Sequence, residues 1–126
     1  YTVNAAASAG YLLGYREVTG TLTVGTDQLS HLNDFRDLRR VGALRIVSNA
    51  NLSSFNLPEL THISGDLVVD ANPILASFEL PGLISVNNVH FTDNESLCAS
   101  TVNALIDTLN GLEWMGTSDI SGNADC

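Results

Sequence analysis

The chain has 126 residues, enough for one domain with a single core, and 44% of them are apolar. Its mean hydropathy of +0.15 excludes disorder, and no apolar run approaches the roughly 20 residues of a membrane span. Fourteen acidic residues stand against five basic ones, all arginine, for a net charge of −9. Such a surface repels nucleic acid and anionic lipid, so neither nucleic-acid binding nor direct membrane insertion is expected.

Residues 1–17 come first. Their run Ala5-Ala-Ala-Ser-Ala-Gly-Tyr-Leu-Leu13 is similar to a signal-peptide core, but no basic residues precede it, so a mature N-terminal segment is expected. Val3, Tyr11, Leu12 and Leu13 make the segment apolar. It would either fold down as a cap on the domain or dock on a neighbouring copy through these four side chains.

Residues 18–97 then carry a repeat. The leading units are Val18-Thr-Gly-Thr-Leu22-Thr-Val24, Val41-Gly-Ala-Leu44-Arg-Ile46, Ile63-Ser-Gly-Asp-Leu67-Val-Val69 and Val86-Asn-Asn-Val89-His-Phe91. Leu22, Leu44, Leu67 and Val89 are separated by 22, 23 and 22 residues. A fixed period of this length predicts a mainly β solenoid of about four coils, because one coil cannot bury its apolar face alone.

Within each strand the apolar residues two apart, such as Leu44 and Ile46, point inward together. An Asn follows five residues after each strand Leu or Val, at Asn49, Asn72 and Asn94, with Asp27 in the first coil. There the chain must turn. A buried carboxamide satisfies the backbone of the coils above and below, so these four residues are expected to stack as a structural ladder. Leu52, Phe55, Leu57 and Leu60, then Leu75, Phe78, Leu80 and Leu83, fill the other walls. In the first coil Leu29, Leu32, Phe35 and Leu38 are spaced three apart, which predicts a helical or 3₁₀ turn.

Outward strand positions are where such a fold displays function. Thr23, Arg45, Val68 and His90 form the central row, flanked by Asp66 and Asp70. The row is too irregular for ice binding and has no aromatics for sugar stacking. Arg45, Asp66, Asp70 and His90 are also the residue types of a polysaccharide-cleaving solenoid. A cross-strand charge pair of Arg45 with Asp66 or Asp70 is the preferred reading, and no catalytic residue is expected. His31 and His62 fall outside the strands. No cofactor is implied, and no metal site either, since the acids lack calcium-loop spacing. The sequon at Asn51 sits in an exposed turn and is a glycosylation candidate; that at Asn94 belongs to the ladder.

Residues 98–126 close the domain. Ser100 would N-cap a helix whose apolar face is Val102, Leu105, Ile106 and Leu109, stopped at Gly111. The segment from Gly116 to Asn123 returns as a short strand. Cys98 and Cys126 lie in no metal-type cluster and are expected to form a disulfide that holds this cap in an oxidising compartment.

The units Val18-Thr-Gly-Thr-Leu22-Thr-Val, Ile63-Ser-Gly-Asp-Leu67-Val-Val-Asp-Ala-Asn72-Pro-Ile-Leu75 and Asn94-Glu-Ser-Leu97-Cys98, with Ile120-Ser-Gly-Asn123, resemble the receptor L-domain family over roughly residues 12–126. The resemblance implies a short right-handed β-solenoid related to leucine-rich repeats, secreted or at a cell surface. It also implies a non-enzymatic module for protein or glycan recognition or adhesion. The chain departs from the animal receptors in lacking an N-terminal disulfide-bonded cap, a second L-domain, a kinase and a transmembrane segment. A structural subunit assembling with copies of itself is the alternative, and a polysaccharide-acting enzyme a third reading.

Overall fold

The computed structural model describes residues 1–4, 10 and 13–126. Its main wall is a seven-stranded parallel sheet of β1 (Thr2–Val3), β2 (Glu17–Val24), β3 (Arg40–Val47), β5 (His62–Ile63), β6 (Leu67–Asp70), β8 (Val89–Thr92) and β9 (Ser118–Ser121). The strands stack in the order β1-β2-β3-β6-β8-β9, with β5 also on β3. A second wall is the parallel pair β4 (Ser54–Asn56) and β7 (Ser77–Glu79). The chain is therefore a β-solenoid of about four coils, with helix α1 (Ala99–Gly111) at its C-terminal end.

Register follows the repeat. Leu22, Leu44, Leu67 and Val89 align on one inward row; Val3, Val24, Ile46, Val69, Phe91 and Ile120 align on the next. All but Ile120 are buried, and Ile120 is partly so. Burying a side chain of this size contributes about 1.5–3 kcal/mol, so a coil is stable only against its neighbours. Phe55 and Phe78 of the second wall stack with centroids 5.5 Å apart, and Phe78 stacks on Phe91 of the main wall at 4.9 Å. The expected turn in the first coil is a 3₁₀ helix at Asn33–Phe35, where the later coils hold β4 and β7.

Every corner after the first has one construction. A residue with positive φ (Ser48, Ala71 and Asp93, all at 56°, and Gly122 at 71°) turns the chain, and the Asn after it points inward. Only at Gly122 is that conformation free of Cβ strain. The ladder that results differs from expectation at both ends. Asn49, Asn72 and Asn94 are fully buried, but Asp27 is exposed and Thr26 takes the inward place, its backbone nitrogen donating 3.0 Å to Asn49 Oδ1. The first coil is one residue shorter at this corner: one residue separates Val24 from Thr26, two separate Ile46 from Asn49. At the other end Asn123, which the repeat spacing does not reach, is the last rung.

A close backbone approach lies at the start of the sheet. The register of β2 on β3 shifts between Val18 and Thr21, a bulge at Thr19-Gly20, and Gly42 packs under it. A Cβ on Gly42 would stand 2.6 Å from the Gly20 carbonyl oxygen.

The cap is built as expected in outline. Val102, Leu105 and Leu109 are buried, Ile106 is partly so, and Cys98 and Cys126 are bonded. The helix starts earlier than the Ser100 N-cap predicts. Cys98 is the capping residue, with no side-chain hydrogen bond. The orphan N–H groups of the first turn are met by the chain's last residues instead: Ala99 donates to the Ala124 oxygen and Ser100 to the Cys126 oxygen, each at 2.9 Å. Trp114 closes the remaining edge, Nε1 donating to the Val86 and Asn87 oxygens at 3.1 and 2.9 Å. A Cβ on the following Gly116 would collide with the Asn87 carbonyl.

Candidate functional face

The outer surface of the main sheet carries three rows of side chains. The central one runs Thr2, Thr23, Arg45, Val68, His90 and Asp119, each opposite the next in register. It contains the four residues singled out from the sequence and extends them by one at each end. Arg45 and Asp119 are exposed; Thr23, Val68 and His90 are half-buried because neighbouring rungs, about 4.8 Å away, flank them.

Two side rows hold the central one in place. On one side Asp66 Oδ1 accepts from the Asn88 backbone nitrogen at 3.0 Å and from Asn87 Nδ2 at 3.1 Å. Asn88 Oδ1 in turn accepts from Thr117, at 3.0 Å from its nitrogen and 3.1 Å from Oγ1. On the other side Val47, Asp70, Thr92 and Ser121 align, and Thr92 Oγ1 donates 2.6 Å to Asp70 Oδ1. Asp66 and Asp70 thus accept hydrogen bonds from the next rung, whereas the cross-strand neighbour of Arg45 is Val68 rather than either acid. The charge pairing expected from the sequence gives way to links running along the stack.

The remaining candidates fall elsewhere. Val3 is wholly buried and paired with Val24, so its side chain belongs to the molecule's own core. Leu13 is half exposed. Tyr11 and Leu12 lie outside the described residues. Asn51 is exposed, with Nδ2 donating 2.6 Å to the Asp27 oxygen. His31 is exposed, whereas His62 stands within β5, its Nδ1 2.8 Å from Thr61 Oγ1.

Several grooves lie away from this face. One of about 420 Å³ runs between Phe78–Pro81 and the Ala104–Thr108 side of α1; another of about 360 Å³ is lined by Gly14, Arg16, Asp37, Arg39 and Glu59. Among the described residues no group of three or more His, Cys, Asp or Glu is placed to hold a metal ion, and no helix is long and apolar enough to cross a membrane. Comparison of the sequence with protein-family models and with curated proteins finds no match. The chain is a disulfide-closed β-solenoid.

Proposed function

We propose that this domain is a non-enzymatic recognition or adhesion module that presents the outer face of its main sheet to a protein or glycan ligand outside the cell or at its surface. The observation that carries the reading is the unbroken row from Thr2 to Asp119, six strands long, with cationic, apolar, imidazole and anionic groups at fixed intervals. Rigid side chains on a preorganised surface lose little entropy on binding, which is what a recognition face requires. Asp66 and Asp70 support a binding role over catalysis, since both serve as acceptors that tie rung to rung. The Cys98–Cys126 bond and the resemblance of the repeat units to receptor L-domains support the extracellular setting.

The test is binding of the intact domain to a panel of immobilised glycans and extracellular proteins, repeated with Arg45→Glu and His90→Ala. Each variant should keep its thermal midpoint and weaken binding about tenfold, the usual effect of losing a central contact. Full binding by both variants would refute the assignment, as would turnover of an acidic polysaccharide by the domain.

A further inference from the structure

The main sheet ends on a bare strand. Thr117 and Ser121 direct their carbonyls at β8, where Val89 and Asp93 donate to them at 2.9 Å. In a parallel strand, backbone direction alternates, so Ser118 and Ile120 face away from the molecule. Among the described residues nothing bonds their outward groups. Ile120, last on the inward apolar row, remains only partly buried, so α1 covers the core but leaves this wall one strand short. At the opposite end of the same sheet Tyr1 and Val3 direct their carbonyls at β2, where Thr23 and Gly25 donate to them at 2.9 Å, so Thr2 faces outward.

We infer that β9 of one molecule accepts β1 of a second copy in parallel, continuing the sheet head to tail. Setting Thr2 opposite Asp119 extends the outer row without a break. It places the Thr2 N–H at the Ser118 carbonyl and the Ile120 N–H at the Thr2 carbonyl, and it sets Val3 on Ile120 in the inward row. These are the alignments the sheet already uses within one molecule.

Charge selects this pairing over the joining of two β9 edges. All five arginines lie between Arg16 and Arg45 and are balanced by five acids up to Glu59. Residues 61–126 hold the other nine acids and no Arg or Lys. Coil order is position along the stack, so the acidic half is the β9 end. Joining two β9 edges sets like charge against like, whereas head-to-tail contact sets the acidic end against the half that carries every arginine. The contact is heterologous and does not close, so it propagates as a filament. It does not depend on what binds the outer face.

Two measurements test the inference. Thr2→Cys and Asp119→Cys change exposed positions whose Cα atoms would stand about 4.8 Å apart across the junction, inside the roughly 4.4–6.8 Å range of a disulfide. Under mild oxidation the two variants mixed should give cross-linked dimer about tenfold above either variant alone. Equal or no cross-linking in the mixture would overturn the inference. Separately, the sedimentation-average mass of the wild-type chain should rise with concentration and fall back as salt is added. Ile120→Pro, which removes an outward N–H and no bond to β8, should stay monomeric while keeping its fold, at a lower thermal midpoint from the lost Ile120 packing. A wild-type chain that stays monomeric, or a folded Ile120→Pro that associates as before, would also overturn it.

Discussion

Asn94 donates twice to one atom of Asn123: its backbone nitrogen at 3.2 Å and its Nδ2 at 3.1 Å both reach Asn123 Oδ1. The same doubled contact joins Asn49 to Asn72 and Asn72 to Asn94. Each Nδ2 also donates to a strand carbonyl of the preceding coil, Val24, Ile46, Val69 and Phe91 in turn. The ladder thus runs from the Thr26 corner into the C-terminal cap, and at its central rungs it satisfies backbone groups buried between coils.

Replacing Asn72 with Ala would strand the Ile46 carbonyl and the Asn49 N–H in the core. Each unpaired group costs about 1–3 kcal/mol, so the loss should be roughly 3–5 kcal/mol in urea unfolding. Asn123→Ala, at the partly exposed last rung, should cost only about 1–2 kcal/mol because water reaches the freed groups. Equal costs at the two positions would contradict a ladder that deepens toward its middle.

Corner conformation predicts opposite signs for two small substitutions. Ala71→Gly relieves a Cβ held at φ 56° and should raise stability by about 0.5–1 kcal/mol. Gly122→Ala introduces that strain at φ 71° and drives a methyl into Asp93 Oδ1, so it should lower stability by about 1–2 kcal/mol. Thermal midpoints moving in the same direction would show that the corners are not conformationally equivalent.

Phe78 stands between Phe55 and Phe91 and beside the groove under α1. Phe78→Ala should cost about 3–5 kcal/mol, toward the lower end because the groove admits solvent, and Phe78→Leu about 1–1.5 kcal/mol. Denaturant midpoints of the two variants give the comparison. No measurable cost for Leu would mean that the ring stack adds nothing beyond apolar volume.

The disulfide closes a loop across 28 positions. Cys98→Ala with Cys126→Ala should lower stability by about 3–4 kcal/mol on the chain-entropy account. The last residues also hold the start of α1, so hydrogen exchange at the Ala99 and Ser100 amides should accelerate more than at Leu105. Uniform acceleration along the helix would show that the bond restrains the whole cap rather than its first turn.

Much of this architecture was legible in the residues. The strand leucines, the three central Asn rungs, the 3₁₀ turn in the first coil, the helix face and the cysteine pair are local patterns repeated at a fixed interval. Thr26 escaped because one residue is missing at the first corner, which shifts Asp27 out of the inward register. Asn123 escaped because α1 interrupts the period before it, leaving only the Gly122-Asn123 pair as a signal. The expected Arg45 charge pair failed for another reason. Residues on one face can be counted from sequence, but which oxygen accepts from which donor depends on side-chain position.

The sequence by itself determined a stack of about four parallel coils, since a 22–23 residue period of apolar and Asn positions has no other way to bury both. Only the tertiary structure decided where the stack begins and ends. Val3 is in the core because Thr2–Val3 pairs with Thr23–Val24, and Ile120 is only partly buried because, among the described residues, no strand stacks beyond β9. Neither outcome is periodic. A repeat specifies the contacts of each coil with its neighbours, whereas the two end coils have a neighbour on one side only and their other side is set by segments outside the repeat.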